Sequence, residues 1–77
     1  MPRILVKTGN VAIEHASVPV RYFESRTPRG GRRYSAEIVL GPDDRIILDD
    51  DSMITLEARV ARLVPATVYS RLLARTA

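Results

Sequence analysis

Apolar and polar residues alternate from Arg33 to Leu40, which is the most regular pattern in the chain. A period of two is typical of a β-strand with one buried face. Turn-forming residues occupy positions 41–44, and a short apolar run over residues 45–48 follows them. This order predicts two antiparallel strands joined by a tight turn.

Two earlier segments also have the composition of strands. Residues 3–16 are rich in β-prone side chains on both sides of Gly9-Asn10, a dipeptide that tolerates positive φ at both positions. We therefore predict a β-hairpin that turns at Gly9-Asn10. Residues 18–24 form a further extended run, in which Pro19 belongs at the start of the strand or at an edge, because proline has no N–H to donate.

The apolar period changes from that of a strand to that of a helix after residue 48. Residues 49–52 are three aspartates and a serine, which are frequent N-caps and favour a helix start through the backbone dipole. A strand is the alternative for residues 54–60, because apolar side chains also alternate there. We favour a helix, since five apolar residues fit the helical spacing among good helix formers. These five are Met53, Leu56, Val60, Leu63 and Val64.

A second apolar stripe follows Pro65, on a different side of the helical wheel. At about 100° per residue, its centre lies about 160° from that of the first stripe, so one straight helix cannot bury both against the same sheet. Proline disfavours a helical residue before it and is accepted as the first residue of a helix. We therefore predict two short C-terminal helices broken at Pro65. The second stripe comprises Val68, Tyr69, Leu72 and Leu73.

Strands followed by helices are the pattern of an α+β domain. We predict a small, mostly antiparallel, meander-like sheet of four or five strands, with the two helices covering one face. A length of 77 residues allows a single domain over residues 1–77, strand-rich over 1–48 and helical over 52–76. Open sheet edges and a small core favour a homodimer.

Composition and charge exclude several classes of protein. The chain has no cysteine, so it holds no disulfide, thiolate metal site or thiol nucleophile. No apolar run is long enough for a signal peptide or a membrane span, so we expect a cytoplasmic protein with no membrane partner. The net charge of +3 is unevenly distributed, because residues 1–40 and 58–77 are basic whereas residues 41–57 carry six acidic side chains and one basic.

Residues 26–33 contain four arginines and no acid, between two predicted strands. Arginine donates planar, bidentate hydrogen bonds that suit phosphate, and a Gly-Gly pair gives the loop a flexible tip that a ligand can approach closely. Tyr22, Phe23 and Tyr34 on the flanking strands would stack on bases if they face outward. The alternative is a solvated loop in an arginine-rich chain. The candidate phosphate- or nucleic-acid-binding residues are Arg26, Arg29, Arg32 and Arg33.

No set of residues points to catalysis, a cofactor or a metal. The aspartates within residues 43–51 lack the alternate spacing of a calcium loop, and turns and a helix cap account for them. His15 is the single histidine, and the sequence marks no group that would orient it as a base. Glu24 and Glu37 form either a carboxylate pair or, as is commoner across a sheet, ion pairs with arginine. The arginines expected within reach are Arg21, Arg33 and Arg45.

These observations favour a small non-catalytic protein-interaction module, whose partner is an unknown protein or a second copy of the chain. The alternative is a nucleic-acid- or polyanion-binding accessory protein that acts through the loop from Arg26 to Arg33. The first function requires an exposed apolar patch in the folded chain. The second requires one continuous positive surface that the loop and helix arginines share, and acidic residues 41–57 folded against the loop would weaken it.

Overall fold

Within residues 3–14 and 16–76, which the computed structural model describes, the chain forms four strands and one helix. The elements are β1 (Ile4–Ile13), β2 (Ala16–Arg26), β3 (Arg32–Gly41), β4 (Asp44–Asp50) and α1 (Met53–Thr76). The strands form one antiparallel sheet in the order β1-β2-β3-β4. The predicted α+β class and antiparallel meander are confirmed, with four strands rather than five.

The turn predicted at Gly9-Asn10 is wrong, because β1 continues through both residues. Both are paired with β2, and the chain reverses only after Ile13. Glu14 has a φ of 50°, the left-handed conformation that a tight turn between strands needs. A Gly-Asn dipeptide permits a turn without requiring one, and the continuous ladder pairs more of β1 with β2 than two shorter strands would.

Pro19 lies where β2 behaves as an edge strand. β2 lies between β1 and β3, but its ladder with β3 begins only at Val20. Pro19 is therefore paired with β1 alone, so its missing N–H breaks no hydrogen bond to β3. β3 continues to Gly41 but is paired there with β4 alone, so the end of the β1–β2 hairpin has no ladder to β3.

The hydrophobic core lies between α1 and one face of the sheet. Alternate residues of β2 and β3 point to that face, and every fourth residue of the first part of α1 packs against them. Removing apolar surface from water contributes about 25 cal/mol per Å², the main stabilisation open to so short a chain. The buried apolar side chains are Val20, Tyr22, Ala36, Ile38, Leu56, Val60 and Val64.

The start of α1 agrees with the prediction from the acidic segment. Ser52 is the N-cap: its Oγ accepts a hydrogen bond from the N–H of Thr55 at 3.4 Å, and its carbonyl accepts one from Leu56 at 2.9 Å. The N–H of Ser52 donates to Asp50 Oδ1 at 3.0 Å. This bond holds the pKa of Asp50 below its usual range, and a hydrogen bond from Arg59 acts in the same direction.

The predicted break at Pro65 is wrong, because α1 is one helix of 24 residues with Pro65 inside it. Proline removes the N–H that would bond the carbonyl four residues earlier, which costs about 3 kcal/mol in a helix interior. Val64 is buried just before Pro65, and Val68 packs against the same core one turn after it. Packing on both sides of Pro65 therefore keeps the chain in one helix despite the lost hydrogen bond.

An unbroken α1 leaves most of its second apolar stripe in solvent. Each step of four residues rotates by about 40° around a helix, so the row that is buried at Leu56 has turned by about 160° at Leu72. The sheet covers the first part of this row and not the last. Tyr69 is 64% exposed, and Leu72 and Leu73 are 53% and 54% exposed. As predicted, a single helix does not bury both stripes. The helix stays unbroken, and most of the second stripe is exposed to solvent.

Candidate functional site

An open apolar groove lies between the second half of α1 and the end of the β1–β2 hairpin that does not pair with β3. Its volume is about 890 Å³. One wall comes from the hairpin and the other from α1. The groove is lined mainly by Ile13, Val18, Pro65, Val68, Tyr69 and Leu72. We call this groove, together with the neighbouring exposed Leu73, the apolar patch.

An ion pair holds the second half of α1 at the β4 edge of the sheet, away from the groove. Arg71 Nη2 lies 2.9 Å from Asp44 Oδ1, at the start of β4. A smaller cavity of about 140 Å³, which Leu40 and Leu72 help to line, lies beside this ion pair. Because the ion pair holds α1 towards β4, the groove opens on the side of β1.

Two charged residues of opposite sign border the apolar patch. Glu14 lines the hairpin end of the groove. Arg62 lies on the same side of α1 as Tyr69 and Leu73, because seven and eleven residues are both close to whole numbers of helical turns. Among the described residues, neither Glu14 nor Arg62 has an ion-pair partner. Their charges are therefore available to a binding partner.

The sheet face opposite α1, which we call the open face, holds three arginines around one glutamate. Glu37 on β3 pairs with Arg21 on β2, with Arg45 Nη1 on β4 at 3.6 Å, and with Arg3 Nη2 at 3.9 Å. The expected pairing of Glu37 with arginine across the sheet is confirmed. We call Arg3, Arg21 and Arg45 the arginine cluster.

Glu37 is only 4% exposed although it lies on the open face, where three arginine side chains surround its carboxylate. The hydrogen bond from Arg21 holds the pKa of Glu37 below its usual range, and the charges of Arg45 and Arg3 act in the same direction. Glu37 is thus ionised at neutral pH. Three arginines and one glutamate give the cluster a net charge of +2.

Phe23 lies beside the arginine cluster on the open face. The guanidinium carbon of Arg3 is 4.2 Å from the centroid of the Phe23 ring, which is a cation–π distance. The other two aromatic residues predicted to flank the loop face the core instead. Tyr22 is 6% exposed, and burial raises its pKa, while Tyr34 packs against the core cluster. Of the three predicted stacking residues, Phe23 alone is on the open face.

The four loop arginines lie at the end of the sheet where α1 begins, and all four are exposed. Arg26 and Arg32 are opposite each other in the β2–β3 ladder, and Arg29 lies in the loop between them. Arg32 Nε is 3.5 Å from Glu24 Oε1, so Glu24 also pairs with an arginine, although not one of the three expected. Arg33 is on β3, on the same face as Glu37.

The loop contains a compact hydrogen-bonded turn. The N–H of Gly30 donates to the Thr27 carbonyl at 2.9 Å, and the N–H of Gly31 donates to Thr27 Oγ1 at 3.0 Å. Gly30 has a φ of 84°, so the turn itself accounts for this glycine.

The acidic segment lies at the same end of the sheet as the loop. The β3–β4 ladder places Asp49 and Asp50 beside the residues of β3 that follow Arg33. Arg59 on α1 donates to the Asp49 carbonyl at 2.7 Å and to Asp50 Oδ2 at 3.2 Å. Since Arg59 and Arg71 are both engaged by acids of β4, their charges do not add to that of the loop.

Among the described residues, no three His, Cys, Asp or Glu side chains are placed to hold a metal ion together. His15 lies outside the described residues. In the part of the chain that the structure describes, no helix combines the length and the apolar character that crossing a membrane requires.

Comparison with known proteins yields no relative: a scan against protein-family models, a search of curated proteins and a search of solved structures each found no match. The class of the protein is therefore defined by its own fold and surfaces. It is a small α+β domain with a four-stranded antiparallel sheet and one C-terminal helix, with an apolar patch beside the helix and an arginine cluster on the open face.

Proposed function

We propose that the chain is a non-catalytic protein-interaction module that forms a homodimer through the apolar patch. The observation that carries this proposal is the exposed second stripe of α1, where Tyr69, Leu72 and Leu73 are each more than half exposed. Exposed apolar surface that borders a groove and is rimmed by charge is typical of interaction sites.

A second copy of the chain is the occupant that the apolar patch suits best. A domain of this length buries only about 60% of the surface of its unfolded chain, and self-association is one of the common ways to enlarge such a core. The patch has both a ridge, at Tyr69 and Leu73, and a groove. Two copies related by a two-fold axis can each place the ridge in the groove of the other.

The charges around the apolar patch are compatible with this arrangement. If the two α1 helices run antiparallel, Arg62 of one copy lies towards the C-terminal end of the other helix, near the end of that copy's β1–β2 hairpin. Glu14 is at that hairpin and supplies the opposite charge. Arginine is also favoured near a helix C-terminus by the backbone dipole. The charges thus favour the antiparallel arrangement over a parallel one.

The edges of the sheet are less suited to self-association. β1 has a bulge between Leu5 and Lys7, which interrupts its row of edge hydrogen-bonding groups. Lys7 Nζ is also 2.9 Å from Glu57 of α1, so this side chain is turned towards the helix. β4 begins at Asp44 and ends at Asp49 and Asp50, which would repel a second acidic edge.

Sedimentation equilibrium over about a hundredfold range of concentration tests the proposal. We expect a monomer–dimer equilibrium for the wild type. The double variant Leu72→Glu/Leu73→Glu should lose at least about 100-fold in dimer affinity, because its charges would be buried without partners. The control is Ile54→Glu, which adds one glutamate, where the double variant adds two, at a residue of α1 that is 84% exposed and outside the apolar patch.

Circular dichroism establishes that each variant keeps its fold before its mass is compared. A wild type that stays monomeric over the whole range would contradict the proposal. Equal loss of dimer in Ile54→Glu and in the double variant would also contradict it, since that result would place the interface elsewhere on α1.

A further inference from the structure

We infer that the open face of the sheet binds single-stranded nucleic acid, with the arginine cluster holding a backbone phosphate. This site is separate from the proposed homodimer interface, because the open face and the apolar patch are on opposite sides of the sheet. A dimer formed through α1 leaves the open face of both copies accessible.

The arginine cluster has more hydrogen-bond donors than Glu37 can accept. Each of the three guanidinium groups carries five N–H donors. Together they share the Glu37 carboxylate, which offers about four acceptor sites. Arg3, Arg21 and Arg45 are 44%, 54% and 59% exposed, so many of these donors face solvent. A phosphate group offers only acceptors and matches the geometry of the guanidinium group. The net charge of +2 therefore has a natural complement in a phosphate.

Glu37 holds the three side chains together before any ligand arrives. A long side chain that is free in solvent loses conformational entropy when it binds a ligand. The side chains of the cluster have lost part of that entropy in folding, because each is anchored on the buried Glu37. Preorganisation of this kind lowers the cost of binding.

A surface for stacking lies next to the arginine cluster. Unstacked bases pack on aromatic rings and on guanidinium planes, and Arg3 lies over Phe23 in such a stack. Leu5 and Ile47 are 51% and 54% exposed, and the ladders place both on the open face, across from Phe23 and Glu37 respectively. The open face thus combines positive charge with apolar surface suited to bases.

A single strand fits this surface better than a duplex or an acidic peptide does. The open face is a sheet from which, among the described residues, no helix projects to enter a duplex groove. An acidic peptide would use the arginine cluster but would leave the stack of Arg3 on Phe23 without a role. Arg33 lies on the same face, about 13 Å along β3 from Glu37, within reach of another phosphate of the same strand.

A backbone amide NMR titration of the wild type with a single-stranded oligothymidylate maps the site without any substitution. We run it at about 50 and 200 mM salt, and we expect binding to weaken at least tenfold between them. The shifts should appear at the residues of the open face, namely Arg3, Arg21, Phe23, Glu37 and Arg45. Shifts confined to the loop of residues 26–33, or no shifts at the lower salt, would overturn the inference.

Fluorescence anisotropy of a labelled oligothymidylate measures the contribution of single residues. Arg45→Ala keeps the pairing of Glu37 with Arg21 and should weaken binding about tenfold, with a salt slope smaller by about 0.7. The matched control is Arg62→Ala, which removes the same charge from α1. Because Arg62 borders the proposed dimer interface, both arginine variants are compared in the Leu72→Glu/Leu73→Glu background, where Arg62→Ala should change the affinity less than about twofold. Phe23→Leu should weaken binding about fivefold through the loss of stacking.

Three results in this second experiment would overturn the inference. The first is that Arg45→Ala and Arg62→Ala weaken binding equally. The second is that a duplex binds as tightly as the single strand. The third is that a polyglutamate peptide displaces the labelled oligothymidylate as well as unlabelled oligothymidylate does. The monomeric variant Leu72→Glu/Leu73→Glu should still bind the oligonucleotide. Failure of the homodimer proposal is thereby distinguished from failure of this one.

Discussion

Glu37 is the residue on which the open face depends. Its carboxylate is the common partner of Arg3, Arg21 and Arg45, side chains that come from three different parts of the chain. Without this carboxylate, three like charges would face one another with no anion between them. A change at Glu37 therefore affects both the stability of the fold and the geometry of the arginine cluster.

The pH dependence of stability follows from the pKa of Glu37, which the hydrogen bond from Arg21 lowers in the folded chain. Such a carboxylate stabilises the fold above its unfolded pKa, and this contribution is lost as the pH falls through the folded value. We expect Glu37→Gln to be less stable than the wild type at pH 7. Below about pH 4.5, urea unfolding midpoints of the two proteins should converge.

Asp50 also has a lowered pKa, but it titrates in both the wild type and Glu37→Gln. The difference between their curves of unfolding midpoint against pH therefore isolates the contribution of Glu37. A constant gap between the midpoints down to about pH 2 would show that Glu37 contributes nothing through its charge.

Gly9 tests the corrected hairpin. A Cβ added there would lie 3.8 Å from Tyr22 Cε2, which is an ordinary van der Waals contact. Glycine inside a strand is less stable than alanine by about 0.5–1 kcal/mol. We expect Gly9→Ala to raise the free energy of unfolding by about 0.5 kcal/mol in urea unfolding. A turn at this position would need positive φ, and alanine would then destabilise the chain.

At the scale of the elements, α1 continues through Pro65 as one helix. Alanine at this position restores an N–H that can donate to the carbonyl of Ala61. We expect Pro65→Ala to raise the free energy of unfolding by about 2 kcal/mol, because a gain of about 3 kcal/mol is reduced by the greater freedom of the unfolded chain.

Thermal unfolding followed by circular dichroism measures this effect. The substitution is made in the Leu72→Glu/Leu73→Glu background, because Pro65 lines the groove and dimer formation would otherwise contribute to the melting temperature. A lower melting temperature would argue for two helices joined at Pro65, in which proline starts the second helix.

The elements that the sequence predicts correctly are those that local signals determine. Residues 33–40 alternate with a period of two and lie in β3, and Ser52 caps α1 within the predicted segment. The two errors, at Gly9-Asn10 and at Pro65, arise where a residue only permits a change of direction. Pairing of β1 with β2 and packing of Val68 on the core decide the outcome there, and neither is a local property.

At the scale of the whole molecule, the uneven distribution of charge serves to dock α1 on the sheet. Acidic residues of β4 pair with arginines of α1, as Asp50 with Arg59 and Asp44 with Arg71. Both pairs are partly exposed to solvent, and ion pairs near a protein surface contribute about 1 kcal/mol or less to stability. Together they fix the helix along β4, and that placement leaves the groove on the side of β1.

Neither the arginine cluster nor the apolar patch can be recognised as a site from the sequence, and the reasons differ. The arginine cluster needs the register of the strands, which brings Arg3 next to Glu37 across a separation that no local pattern marks. The second stripe of α1 is visible on the helical wheel, but its exposure depends on where the sheet ends. The loop arginines are visible in the sequence, and their role in binding stays a prediction that the same NMR titration tests.

The dimer that we propose places a second copy of the chain over the apolar patch. NMR on a mixture of isotope-labelled and unlabelled chains detects contacts between copies alone. We predict intermolecular nuclear Overhauser effects from the methyl groups of Leu73 to Ile13, and from those of Leu72 to the ring of Tyr69. Effects that arise instead from Leu5 and Val6 at the β1 edge, or their absence at millimolar concentration, would contradict the claim.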